Sequence, residues 1–314
     1  MANPFARIDP LTLVFPSQHD GAVLAVIDLD GVADDAEWHL PACPLIGIGD
    51  RAHPHASRCD LLVEPPVSLD ALVTAIEAQP HAAAILVQLL RLTETMAIDA
   101  ALVAESMAYG LLQGSAGHSA WLVMQGKPQL HSPGAVHAVR DDDRLDICLA
   151  RPHADNAIDR PMRDALREIF DLAALDRDVA HIRLRAEGRS FSLGADLAEF
   201  GTTRDPATAH AIRMAALPAH SIAQCADRLE AHVQGACVGS GLEMAAFAAR
   251  LTASRFAWFQ LPELAMGILP GAGGCISVAR RIGRQRAALM MLSGKRIGAR
   301  TALDWGLVDA IIDD

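Results

Sequence analysis

The sequence predicts an α/β fold in two parts: a glycine-punctuated core of strands and helices, preceded by a small α/β region and a helical segment. Three observations predict it. Short apolar runs at 22–28, 45–49 and 59–64 have strand length and end in Gly, Asp or Glu. Residues 68–121 repeat apolar side chains at helical spacing. From Ile182 onward, strand-like runs alternate with glycine turns and helical runs. At 314 residues and 51% hydrophobic, the chain can bury one large or two modest cores.

Taken in order, residues 1–65 read as a small α/β subdomain built on the three short runs. The acidic residues Asp28, Asp30, Asp34 and Asp35 after the first run read as a solvated loop rather than a metal site. His53 and His55 likewise read as loop residues rather than a ligand pair. Residues 66–124 read as three helices. Leu69, Leu72, Val73 and Ile76 mark the first, Ile85, Leu86, Leu89 and Leu90 the second, and Leu102, Val103, Met107 and Leu111 the third. Pro80 separates the first two, and Gly110, Gly114 and Gly117 loosen the end of the third. Residues 125–141 are expected as a linker, with the core at 142–314.

The chemistry concentrates around Gly239-Ser240-Gly241 and two carboxylates, Glu243 and Glu263. Small residues let the backbone approach a ligand closely before entering a helix. Residues 242–251 are rich in Ala, Met and Leu and read as that helix. Its first N–H groups lack internal partners and its dipole adds partial positive charge, which suits a developing oxyanion. The helix would rise roughly 12 Å. A strand at 254–259 would return roughly 17 Å. Both glutamates then reach the same end. Taken alone, the pair also fits a first-turn Glu complementing a helix dipole and a solvated Glu in a turn.

Further motifs bear on that choice. They are Phe191-Ser192-Leu193-Gly194-Ala195-Asp196, Arg151-Pro152 with Asn156-Ala157-Ile158-Asp159, and the late run from Leu292 through Gly306-Leu307-Val308. With these, the chain from about Asp142 onward resembles the crotonase (enoyl-CoA hydratase/isomerase) superfamily over a little more than half its length. The resemblance implies a spiral of ββα units that binds an acyl-CoA thioester. Coenzyme A enters as part of the substrate, with no separate cofactor and no metal. The oxyanion donors it implies are the backbone N–H groups of Leu193 and Ser240. Glu263 would deliver a proton to the α-carbon, and Glu243 would hold and deprotonate the attacking water. Ala157, Gly194, Ala195, Asp196, Gly239 and Gly241 map to the substrate and CoA surface, and a homo-oligomer, trimer or hexamer, is implied.

Family isomerases usually keep only the second carboxylate, so retaining both favours hydration of a 2-enoyl-CoA. Isomerisation, thioester hydrolysis, carbon–carbon bond chemistry, and a catalytically silent acyl-CoA-binding subunit of a biosynthetic complex stay open as alternatives. Ser240 replaces a common Gly, Leu193 is bulkier than usual, and Cys275, where Thr is common, reads as a packed thiol. Members normally continue into C-terminal helices, whereas this sequence places about 130 residues ahead of the core. The expectation is that 66–124 folds onto the core, in cis or from a neighbouring subunit, and stands in for those helices. An unrelated appended helical domain is the alternative.

A net charge of −11 argues against general nucleic-acid binding. Arg280, Arg281, Arg284 and Arg286 read as a solvated helix face rather than a phosphate site. The six cysteines form no CxxC pair, which leaves no zinc or redox motif. No run reaches the roughly 18 apolar residues of a membrane span. A reducing cytoplasm is the expected setting. Neither Ser240 nor Ser115 sits in a Gly-x-Ser-x-Gly elbow, which removes a serine-hydrolase reading.

Overall fold

Branched apolar residues open the chain as three strands, β1 (Ala25–Asp28), β2 (Leu45–Ile48) and β3 (Leu61–Leu62), paired in parallel in that order. Successive strand side chains point to opposite faces. Val26, Ile46 and Leu61 therefore join the main core, while Ile27, Leu45 and Leu62 close a small core of their own. The computed structural model describes residues 22–33, 40–126 and 129–312. Of the acidic loop, Asp34 and Asp35 lie outside these residues, and Asp28 accepts locally from the Asp30 N–H.

Four helices follow rather than three: α1 (Leu69–Ala78), α2 (Pro80–Thr93), α3 (Ile98–Gln113) and α4 (Ala116–Met124). Pro80 opens α2 at the first helical position, where a missing N–H costs nothing. Gly114 ends α3, and the Ser115 hydroxyl caps α4 by accepting from the His118 N–H at 3.2 Å. That cap splits the expected third helix in two. Leu72, Val73 and Ile76 of α1 and Leu86, Leu89 and Leu90 of α2 are buried as their spacing predicts. α3 buries Leu102 as expected but not the rest of that face. Met107 and Leu111 are 59% and 65% exposed, and Glu105 and Ser106 are buried instead. That face meets peptide N–H groups and Arg213 of the core, so polar partners keep polar side chains inside.

The second half of the expected linker is a strand. β4 (Ala135–Asp141) pairs antiparallel with β5 (Arg144–Ala150) through a tight turn in which Asp142 takes φ 53°. The core therefore begins at Ala135 rather than at residue 142. It continues with α5 (Arg160–Leu175), β6 (His181–Ala186), α6 (Pro206–Ala216) and α7 (Ala219–Gln224). Two strand–strand–helix turns come next: β7 (Leu229–Val233), β8 (Ala236–Val238) and α8 (Ser240–Ala245), then β9 (Arg250–Ser254), β10 (Trp258–Gln260) and α9 (Gly274–Ile282). The chain closes with α10 (Arg284–Ser293), β11 (Ile297–Gly298), α11 (Ala299–Trp305) and β12 (Ala310–Ile312).

The first strand of each ββα turn enters a six-stranded sheet of order β12-β9-β7-β6-β5-β4, parallel except for the β4–β5 hairpin. The second enters a smaller sheet of order β11-β10-β8. The helix expected over 242–251 ends at Ala245, because residues 250–254 are claimed by pairing with both β7 and β12. The strand expected over 254–259 is correspondingly shorter and later, as β10.

The N-terminal helices pack on the core of the same chain: α1 and α2 on α10, and α3 on α6, α7 and α9. One apolar cluster runs through both parts. The arginine group does not form a solvated face. Arg284 reaches Asp60 at 3.3 Å and Glu94 at 3.1 Å, and Arg286 reaches Glu64 at 2.8 Å. Arg280 donates to the Met96 carbonyl, and Arg281 pairs with Asp309. Three of the four thus tie or brace the junction between the two regions. All six cysteines are buried free thiols.

Candidate active site

α8 starts where two turns come within van der Waals contact. Gly239 has φ 49°, and a Cβ there would lie 2.9 Å from Glu263 Oε1. At Gly241 a Cβ would lie 2.5 Å from Ser192 Cβ. Only glycine satisfies either position. One turn into α8, Glu243 reaches the loop before α9, and its Oε2 accepts from the N–H groups of Ala272 at 2.6 Å and Gly274 at 2.9 Å. Oε1 has no partner among the described residues. Glu263 follows Pro262 in a short 3-10 turn, with Oε1 beside Gly239 and Oε2 buried without a partner among the described residues. Both glutamates line one cavity of about 250 Å³.

Burial dominates their electrostatics. It pushes the Glu243 carboxyl up to about 7, against the opposing pull of the Ala272 and Gly274 N–H groups. It raises Glu263 well above the usual carboxylate range, and the neighbouring Glu243 charge adds to the rise. The Cys275 thiol is also pushed up by burial.

The backbone donors differ from expectation at one position. The Leu193 N–H donates to the Asp155 carbonyl at 3.1 Å, so it is not free for a ligand. The Ile158–Ala195 bridge explains why. Ile158 bonds to the Gly194 carbonyl and the Asp196 N–H, which turns the intervening Ala195 N–H the other way. Ala195 and Ser240 N–H groups have no partner among the described residues, and both residues line the cavity. A Cβ on Gly194, between them, would lie 3.5 Å from the Ser240 nitrogen, so the two turns touch. The Ser240 hydroxyl oxygen is buried without a partner among the described residues.

Of the other expected surface residues, Gly194, Gly239 and Asp196 line the cavity, but Asp196 is occupied: Arg151 donates to it at 2.7 Å, and it accepts from the Ala198 N–H. Gly241 lies behind the cavity against Ser192, and Ala157 is not part of the lining, its carbonyl accepting from Arg151 at 2.8 Å. Asn156, at φ 53°, holds the 187–190 turn through the carbonyls of Glu187 and Ser190.

Part of the remaining wall comes from the N-terminal helices, beside core residues such as Leu166, Phe200 and Met244. Tyr109 and Gln113 of α3 and His118 of α4 line the cavity. Gly271 admits α3, since a Cβ there would lie 2.2 Å from Tyr109 Cδ2. Arg213 of α6 sits 4.5 Å over the Tyr109 ring and donates to Ser106 and Gln113. His118 Nδ1 lies 2.8 Å from the Met266 carbonyl, and its ring stacks on Trp121. Sequence reasoning missed these residues. The one available signal was Gly271, a glycine whose partner is 162 positions away.

The profile of the enoyl-CoA hydratase/isomerase family matches residues 144–314. Among curated proteins, the 2,3-dehydroadipyl-CoA hydratase of Escherichia coli is 34% identical over 168 residues, covering 52% of this chain and 64% of that protein. The mevalonyl-coenzyme A hydratase of Beauveria bassiana is 31% identical over 182 residues, covering 54% of this chain and 64% of the relative. The chain thus spans slightly less than two thirds of the length of these relatives. Among solved structures, the enoyl-CoA hydratase of Thermoplasma volcanium superposes with a TM-score of 0.51 at 36% identity, covering 57% of this chain and 72% of that one. That of Bacillus anthracis gives 0.51 at 26%, covering 57% and 70%. The core fold is the α/β crotonase fold of these structures.

Proposed function

Because this chain belongs to the enoyl-CoA hydratase/isomerase family, we propose that it adds water across the double bond of a 2-enoyl-CoA thioester. One observation carries the reading: two buried carboxylates, Glu243 and Glu263, share a cavity with two unbonded peptide N–H groups, those of Ala195 and Ser240. Both relatives described above are named as hydratases of CoA compounds, which supports water chemistry on such a thioester.

In this reading the Ala195 and Ser240 N–H groups receive the thioester oxygen. Negative charge grows on that oxygen as water adds to the β-carbon, and preorganised donors stabilise it most in the transition state. Glu243, with a carboxyl near 7, is ionised in a useful fraction at neutral pH and takes the proton of the attacking water through Oε1. Glu263, raised well above the usual carboxylate range by burial and the Glu243 charge, favours its protonated form and delivers that proton to the α-carbon. The net change is one water added, and exchange with solvent returns both carboxyls to their starting states. Helices α1–α4, in this proposal, stand in for the helices that family members place after the core, since they supply the wall carrying Tyr109, Gln113 and His118.

The test is direct. Purified protein with crotonyl-CoA and with longer and aromatic 2-enoyl-CoAs should bleach the conjugated thioester absorbance, and the product should gain the mass of one water. Glu243→Gln should slow that gain about 10²–10⁴-fold. A shifted double bond without added water, or no turnover on the whole panel, would overturn hydration.

A further inference from the structure

Four consecutive peptide N–H groups, from Ala272 to Cys275, are shared alternately between two carboxylates. Glu243 Oε2 takes those of Ala272 and Gly274. Glu105 takes the other two: Oε1 accepts from Gly273 at 2.7 Å and Oε2 from Cys275 at 2.8 Å. Glu105 belongs to α3 and stands 168 positions from Gly273 in the chain. It is 2% exposed, so both its oxygens are committed to this loop.

The loop's other ties are local: the Gly273 carbonyl accepts from the Ile276 and Ser277 N–H groups, and the Cys275 thiol donates to the Pro270 carbonyl. Gly271, Gly273 and Gly274 carry no side chain, and Gly273 sits at φ 104°, with its missing Cβ replaced by the Phe247 ring. A glycine-rich backbone is held by whatever accepts its N–H groups. Rotating one of these peptides to suit Glu105 rotates its neighbours relative to Glu243. Glu105 lies outside the cavity lined by Glu243 and Glu263, in a separate crevice with Ser106, Arg213 and His220.

We infer that Glu105 is a positioning residue for Glu243: it clamps the Gly273 and Cys275 N–H groups so that those of Ala272 and Gly274 fix Glu243 Oε2 and leave Oε1 to the water. The inference rests on the hydratase reading above. It gives α3 a part in the chemistry beyond walling the cavity, although Glu105 touches no substrate. A displacement near 1 Å at a reacting group can lower turnover on the order of 10²-fold.

The experiment compares Glu105→Ala and Glu105→Gln with the unmodified full chain, well below the melting temperature of each. Active-site concentration is corrected by the folded fraction from circular dichroism. The expected result is a kcat lowered about 10- to 100-fold in Glu105→Ala, with KM for the enoyl-CoA changed less than about threefold because the oxyanion donors are untouched. Glu105→Gln, which keeps one acceptor oxygen and nearly the same shape, should fall between the two and folds even if Ala does not. A kcat for Glu105→Gln and Glu105→Ala within twofold of the parent overturns the inference, as does loss through KM alone. If the parent itself hydrates no enoyl-CoA, the hydratase reading has failed instead, so the two failures are told apart by the parent's own turnover.

Discussion

The core and the helical region ahead of it build one cavity by different means. The core contributes backbone as well as side chains: peptide N–H groups of Ala195 and Ser240, with glycines at 194, 239 and 241 that let two turns touch, two carboxylates set on those turns, and apolar lining residues such as Leu166, Phe200 and Met244. The N-terminal helices contribute only side chains, Tyr109, Gln113 and His118 into the cavity and Glu105 behind it. A site made of backbone needs glycine at fixed places, because no other residue permits the approach. A wall made of helix side chains needs one residue per turn of an ordinary helix, and such residues leave no pattern.

The most severe way to break the comparison is to remove one side. Deleting residues 1–134 would uncover the apolar faces of α9 and α10, which α1 and α2 cover, and would strip Glu105 from the 272–275 loop. The expected outcome is loss of soluble, cooperatively folded protein, read by yield and thermal melting. A soluble remainder with full turnover would mean the helices are merely appended. Next in size is chemistry on the core side alone. Glu243→Gln should lower kcat about 10²–10⁴-fold with the fold intact. In the parent, kcat/KM should rise with pH through about 7, as Glu243 loses its proton.

That asymmetry also decides what could be read in advance. Gly239, Ser240, Glu243 and Glu263 come together at one cavity although the intervening helix is only six residues long rather than ten, because β9 and β10 take up the difference. Leu193 could not be separated from Ala195 by sequence. Which N–H is free depends on the bridge to Ile158, a pairing 37 positions distant. The inward face of α3 was illegible for a related reason. Apolar spacing pointed to Met107 and Leu111, yet Glu105 and Ser106 are buried, since their partners are a peptide loop and Arg213 on the far side of the chain. Hydrophobic periodicity finds faces that meet apolar surface and is blind to those that meet backbone.

The contact between the two regions can be probed at a single atom. At Gly267, φ is 72°, and a Cβ would lie 2.6 Å from the His118 nitrogen and 2.8 Å from the Gly117 carbonyl carbon, both backbone of α4. Gly306 has a similar left-handed conformation, φ 80° and ψ 15°, but nothing closer than 4.0 Å to its missing Cβ. Gly306→Ala should therefore cost only backbone strain, about 1 kcal/mol. Gly267→Ala adds displacement of α4 and should cost about 3 kcal/mol. Urea unfolding of both variants measures the difference, which isolates the docking of α4. Equal losses would mean that α4 yields freely.

The smallest effect expected concerns stability against pH, and its sign follows from Glu243. Burial raises this carboxyl from an ordinary 4.5 to about 7, so the folded state holds the proton more tightly than the unfolded chain does. The corresponding stability is complete below about pH 4.5 and is lost as pH rises through 7. Glu105 and Glu263 are raised in the same direction by the same cause, so the parent should melt at a lower temperature at pH 8 than at pH 5. Glu243→Gln removes one ionisation from that sum but offers only one acceptor oxygen to the Ala272 and Gly274 N–H groups. The two changes oppose each other, leaving a net gain on the order of 1 kcal/mol at pH 8 that disappears towards pH 4.5. Melting curves of both proteins across this range measure it. A Gln variant equally or less stable than the parent at pH 8 would show that the four-peptide loop, rather than the buried charge, dominates the energetics of the site.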